Sequence, residues 1–315
     1  MQRIDVHHHI LPPKYLAELT PERVFHQSGP IPPAASWTPQ RSLDVMDEGG
    51  VVTALTSISA PGTWFGDVAQ GRRLSRECNE YAAQLARDHR GRFGTLASLP
   101  LPDVEGSLRE IESALDVLKA DGFVLMTSYD NQWPGEARFA PVFDELNRRK
   151  ATVLFHPTVA GCCYELITGV PDATVEFMFD TTRAVTSLLY SGTFSRCPDI
   201  RFIIPHCGSA VPLLQARIGG MWHWNPESKR LIPKGVPHEL KKLYYDVALS
   251  ARPECLAPLM RLVTPKNVVF GTDFPWGGMG ILDTVQGLVD FGFTDEELKL
   301  IEHENARALF PGLAR

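Results

Sequence analysis

The chain has 315 residues, of which 44% are apolar and 22% charged, and a formal net charge of −6. These balances sit near globular averages, and without a basic run the chain offers nucleic acid little to bind. No apolar stretch approaches a membrane span and no apolar signal core follows Met1-Gln2-Arg3, so the expectation is a cytoplasmic protein acting on small molecules, with no membrane and no nucleic-acid partner.

The first predicted strand, 4–6, leads into His7, His8 and His9. Alternation along a strand puts Asp5, His7 and His9 on one face and Val6, His8 and Ile10 on the other. Two imidazoles on one face are a metal-ligand pair, and an open site needs further ligands from elsewhere in the chain. A purification tag would be longer and lie outside the fold, whereas these histidines are bracketed by Val6 and Ile10. Residues 12–39 are rich in proline and lack periodicity, and they read as a long, lid-like loop over the mouth of the site.

Further strands are predicted at 52–56, 93–97, 122–125, 152–155, 200–204, 243–246 and 268–271. Helices are predicted between them, such as 106–120, with Leu108, Ile111, Leu115 and Leu118 on one stripe, and 141–149. A terminal helix over 294–309 opens with Thr294 followed by Glu297, a capping pattern. Eight strands alternating with helices predict an α/β chain folded as one (β/α)8 TIM barrel domain over 1–315. The six cysteines, at 78, 162, 163, 197, 207 and 255, lack zinc-finger spacing and are expected as thiols. Cys207 is read as a small apolar filler rather than a ligand.

His156 ends the strand Val153-Leu154-Phe155, His206 ends Phe202-Ile203-Ile204-Pro205, and Asp273 ends Val268-Val269-Phe270-Gly271-Thr272. Each alone has an ordinary explanation, as a strand-capping histidine or an aspartate bonding loop amides. Together they fall on the C-terminal rim of a barrel, where active sites are built, so that His7, His9, His156, His206 and Asp273 are expected to converge. Trp276, just beyond, is expected to wall an aromatic substrate or to serve packing, and Asp246 to support the site or the fold.

The set His7-x-His9, Phe155-His156-Pro157, Pro205-His206-Cys207-Gly208 and Gly271-Thr272-Asp273-Phe274-Pro275 resembles the amidohydrolase superfamily. It is most similar to the branch with 2-amino-3-carboxymuconate-6-semialdehyde decarboxylase and the ortho-hydroxybenzoate decarboxylases. The likeness covers nearly the whole chain, including Met46-Asp47-Glu48-Gly49-Gly50-Val51 and Arg196-Cys197-Pro198-Asp199-Ile200. Arg76-Glu77-Cys78-Asn79-Glu80, Leu99-Pro100-Leu101-Pro102-Asp103 and Phe143-Asp144-Glu145-Leu146-Asn147 look closest to 6-methylsalicylate decarboxylases.

The resemblance implies one divalent ion, zinc or manganese, on His7, His9, His156 and Asp273, with His206 beside it as acid, base or orienting group. The fourth strand ends Val124-Leu125-Met126-Thr127, without the lysine or glutamate that bridges two metals in other members. The resemblance also implies a homodimer in which Arg217, eleven residues after His206, reaches a substrate carboxylate in the neighbour's site. No arginine stands before Trp37-Thr38-Pro39 at the place where relatives acting on the muconate semialdehyde carry one, which favours a monocarboxylic phenolic acid over a dicarboxylate.

Direct loss of carbon dioxide from such an acid would leave an aryl carbanion, so the ring carbon is expected to be protonated first, driven by an ionised ortho hydroxyl. Asp273 is the expected proton donor, which would need a raised pKa, and His206 is expected to hold or relay the proton. A metal-dependent hydrolase of a lactone or amide is the competing enzyme reading, and a noncatalytic metal-binding protein is the remaining one.

Overall fold

Runs such as Val153-Leu154-Phe155 and Phe202-Ile203-Ile204 are buried at every position, as expected of parallel strands covered on both faces. In the computed structural model, which describes residues 2–20, 36–276 and 280–314, they belong to a single eight-stranded sheet of sequential order. The strands are β1 (Arg3–His9), β2 (Val51–Ser57), β3 (Phe93–Ser98), β4 (Gly122–Met126), β5 (Thr152–His156), β6 (Arg201–Ile204), β7 (Tyr244–Asp246) and β8 (Val268–Val269). All seven neighbouring pairs are parallel.

The extended chain after β8 closes the barrel on β1. Val6 N–H donates to Phe270 O at 3.0 Å, Asp273 N–H to His7 O at 2.8 Å and His9 N–H to Phe274 O at 2.7 Å. Gly271 lets the two segments approach, since a Cβ there would lie 2.9 Å from the His7 Cβ. The fold is thus the (β/α)8 barrel expected from the sequence, and no helix among the described residues is long and apolar enough to cross a membrane.

The β1 register against β2 is irregular at two places, between Arg3 and Ile4 and between Asp5 and His8, and the second bears on the site. Between Asp5 and His8 the register against β2 slips by one residue, because Asp5 pairs with Ala54 and His8 with Thr56. This bulge turns Asp5 to the side of His8 rather than that of His7 and His9. The buried Asp5 carboxylate accepts from His7 N at 3.0 Å, His8 Nδ1 at 3.1 Å, Thr272 N at 3.1 Å and Thr272 Oγ1 at 2.6 Å. His8 also contacts Ser42 Oγ at 3.0 Å and stacks on Phe274.

Helices cover the outside of the barrel. Val68–Asp88, capped by Asp67 accepting from Gln70 N, packs on β3 through a buried face that includes Leu74, Cys78, Ala82 and Leu85. The helix expected over 106–120 runs from Val104–Glu112 and continues as a π-helical turn, Ser113–Leu118. Its buried face includes Ser107, Glu110, Ile111 and Ala114, whereas Leu108, Leu115 and Leu118 are only half-buried. The shift has a cause in Glu110, whose carboxylate is drawn inward by Arg76, at 2.8 Å, and Asn79, at 2.8 Å.

The expected helix at 141–149 is Ala140–Arg148. The terminal helix begins with the Thr294 to Glu297 capping box and has a π-helical turn at Leu300–Glu304. Residues 12–39 are not loop throughout, because Pro13–Glu18 forms a short helix. Tyr15 anchors it by donating to Gly62 O at 3.0 Å, beside the loop after β2. Residues 21–35 of the expected lid lie outside the described residues.

Because Asp5 satisfies four donors at the seam of β1 and β8, Asp5→Ala is expected to destabilise the fold by about 3 kcal/mol. Urea unfolding at equilibrium measures this, and an unchanged midpoint would show that the seam does not depend on Asp5.

Candidate metal centre

β1, β5 and the segment after β8 bring His7, His9, His156 and Asp273 together. One ligand atom from each lies within 4.8 Å of the others, and all four residues are buried. His9 Nε2 is 2.8 Å from Asp273 Oδ1, with His7 Nε2 at 3.3 Å and His156 Nε2 at 3.9 Å from the same oxygen. The other oxygen, Oδ2, lies 3.4 Å from His206 Nε2. The carboxylate is therefore divided, with one oxygen toward three imidazoles and the other toward the fourth.

A partner on the far side of each ring sets its orientation. His7 Nδ1 meets Asp246 Oδ2 at 2.8 Å, His156 Nδ1 donates to Pro157 O at 2.8 Å, and His9 Nδ1 donates to Ser57 O at 3.3 Å. With Nδ1 engaged, Nε2 of each ring faces the common centre. His7 Nε2 is a buried polar atom without a hydrogen-bond partner among the described residues. Such an orphan, among two further nitrogens and a carboxylate oxygen, suits a divalent transition ion. The site fits zinc or manganese.

Asp246, at the end of β7, does more than face His7. Its Oδ1 accepts from His206 N at 2.8 Å and from Ala248 N at 3.0 Å. His206 has φ 55° and Asp273 φ 63°, left-handed conformations that cost a non-glycine residue about 1–3 kcal/mol and persist where surrounding bonds over-determine them. The Asp246 bond to His206 N and the His7 carbonyl bond to Asp273 N hold these two backbones. Cys207 turns its Sγ away, 3.4 Å from Ser250 O, as expected of a filler.

The electrostatics follow from burial and these contacts. Burial alone would lower the His7 pKa, but the Asp246 and Asp273 carboxylates outweigh it and raise it to about 10. Burial and the neighbouring imidazoles of His156 and His7 instead lower His9 to about 3, against the Asp273 contact. His156 is also lowered, chiefly by burial. Burial would raise Asp273, yet His7, His156 and His206 hold it well below the usual carboxylate range. This direction is opposite to the one that a standing acid at Asp273 requires.

A cavity of about 380 Å³ opens beside the cluster, within the range of small-molecule sites. His156, His206 and Asp273 line it, along with Trp276, whose indole nitrogen is buried without a partner among the described residues. Arg217 is exposed on the helix Val211–Trp224 and does not line this cavity.

The sequence reading missed the opposite wall, formed by Thr174, Phe177 and Met178 of the helix Ala173–Tyr190. Phe177, Met178 and Phe179 are consecutive, so apolar residues spread around the helix and leave no single stripe to detect. Asp180 of the same helix, also missed, ties it to the rim by accepting from Thr127 Oγ1 at 2.6 Å, Ser128 Oγ at 2.8 Å and Trp133 Nε1 at 2.8 Å.

Comparison with known proteins places the chain in a family. A family model described as amidohydrolase matches residues 4–312. The decarboxylase yanB of Aspergillus niger is 34% identical, over 99% of this chain and 88% of its own. The 6-methylsalicylic acid decarboxylase of Penicillium expansum is 32% identical, over 99% and 97%. In structure, the dihydroxybenzoic acid decarboxylase of Polaromonas sp. JS666, with bound manganese and the inhibitor 2-nitroresorcinol, superposes with a TM-score of 0.84 at 20% identity, covering 100% of this chain and 98% of that one.

Two measurements follow. His7→Ala or His9→Ala is expected to abolish retention of the ion through gel filtration, while His8→Ala, facing Ser42 and Asp5, keeps most of it; equal loss in all three, by elemental analysis, would contradict this ligand set. The ion-free site at pH 7 carries a proton on His7, with its pKa near 10, and none on His9, near 3. Binding the ion at pH 7 therefore releases about one proton, and affinity falls roughly tenfold per pH unit on acidification. Calorimetry in buffers of different ionisation enthalpy reads that number, and a value of zero would contradict it.

Proposed function

The chain belongs to the amidohydrolase family, and on that basis we propose that it is a metal-dependent, nonoxidative decarboxylase of a small ortho-hydroxy aromatic acid of the salicylate type. The observation that carries this reading is the division of Asp273. Its Oδ1 faces the three imidazoles, and its Oδ2 is paired with His206, with both residues lining a cavity walled by Phe177, Met178 and Trp276. The relatives named above, a decarboxylase and a 6-methylsalicylic acid decarboxylase, point to the same reaction.

When bound by His7, His9, His156 and Asp273, a zinc or manganese ion supplies Lewis acidity and a template for the carboxylate and ortho oxygen of the substrate. The protein must deliver a proton to the carboxyl-bearing ring carbon before carbon dioxide leaves. Asp273 is ionised in the free site, so it is not a standing acid. The proton reaches the carbon along the edge between His206 Nε2 and Asp273 Oδ2, with His206 holding it and Asp273 relaying it. Asp246 fixes the position of His206 through its backbone N–H.

The side of the cavity formed by Phe177 and Met178 presents an apolar face to the ring, and Trp276 adds an aromatic wall. The proposal includes a homodimer in the cytoplasm, with Arg217 directed to the carboxylate in a neighbour's site. It is supported by the exposure of Arg217 and of Leu213, Leu214 and Trp224 on the same helix.

Metal-loaded protein given 6-methylsalicylate or 2,6-dihydroxybenzoate is expected to release carbon dioxide. Asp273→Asn, which keeps an oxygen at this position, is expected to lose at least about a hundredfold in kcat. Opening of lactones without gas evolution would instead make the protein a hydrolase of the same family.

A further inference from the structure

The loop after β5 carries two adjacent cysteines, six and seven residues beyond His156. Gly161–Cys163 forms one 3-10 turn, in which Cys162 is exposed and Cys163 buried. Their Sγ atoms lie 2.8 Å apart, less than 1 Å beyond the length of a disulfide bond, about 2.05 Å. The turn is held from both sides, as Cys162 N–H donates to Asn131 Oδ1 at 2.7 Å and Cys163 N–H to Ala160 O at 2.8 Å.

The other four cysteines are poor competitors. Cys78, Cys197 and Cys207 are buried and Cys255 is half-buried, and burial pushes all four thiols up. Burial and the Cys162 contact raise Cys163 to about 11, against the pull of the nearby Arg183 guanidinium. Cys162 is the one exposed thiol, and its resolving partner is already in place.

We infer that Cys162 and Cys163 form a redox-modification site, at which a hydroperoxide converts the adjacent thiols reversibly into a disulfide. The Cys162 thiolate attacks a peroxide oxygen, the O–O bond breaks, and hydroxide leaves with Cys162 as the sulfenic acid. The Cys163 sulfur then attacks the Cys162 sulfur, the S–O bond breaks, and the departing hydroxide takes the thiol proton. Two thiols and one hydrogen peroxide thus become one disulfide and two waters. The segment that follows leads to Pro171, Ala173 and Thr174 in the cavity wall, so closing the ring is expected to shift the wall that faces the substrate.

Peptide mass mapping of the metal-loaded protein after limiting hydrogen peroxide tests the site. The expected result is that the peptide holding both cysteines loses two hydrogens before any other cysteine is modified, and that dithiothreitol restores it. Addition of oxygen at Cys162 with Cys163 untouched, or earlier oxidation elsewhere, would overturn the inference. Cys162→Ser is expected to abolish the change, and if that variant fails to fold the wild-type mapping decides. A second arm rests on the decarboxylase reading. The oxidised protein is expected to show a severalfold higher KM for the aromatic acid at unchanged metal content. An unchanged KM would overturn the coupling to the cavity and leave the mass result to judge the site.

Discussion

The structure turns on a buried carboxylate shared among four imidazoles. Asp273 is 6% exposed and sits where the chain after β8 closes the barrel on β1, its N–H bonded to the His7 carbonyl. The bond from Asp273 N–H is one of three backbone contacts that close the barrel, and it also sets the site. Loosening the seam would separate Asp273 from His7 and His9. Asp246 makes a similar link on the next strand, orienting the His7 ring with one oxygen and the His206 backbone with the other. Two carboxylates thereby fix four histidines without a lysine or glutamate at the end of β4.

In the proposed reaction, this arrangement divides ligation and proton relay between the two oxygens of one side chain. The ligating oxygen faces nitrogens whose other ring atoms are already committed to Asp246, Pro157 and Ser57, which lowers the cost of organising the site when the ion binds. The other oxygen meets His206 on the cavity side. A low pKa at Asp273 suits ligation.

Much of this was legible in the sequence. Barrel strands are covered on both faces, so β2 to β7 read as short apolar runs, and the polar residues ending β5 and β6 stood out against them. The opposed faces of His7 and His8 followed from strand period alone. Asp5 did not, because the β1 bulge arises from pairing with β2, a relation that no local pattern encodes. The inward turn of Glu110 likewise depends on Arg76, thirty-four residues away. The helix Ala173–Tyr190 escaped notice because its apolar residues surround it, although it supplies a wall of the cavity and is anchored by Asp180.

The most direct test of the account is anomalous diffraction at the metal edge from crystals soaked with 2-nitroresorcinol. It predicts a single ion bonded at about 2.1 Å by His7, His9, His156 and Asp273 Oδ1, with the ring of the ligand between His206 and Trp276. Two ions sharing a bridging group, or one ion held without Asp273, would contradict it.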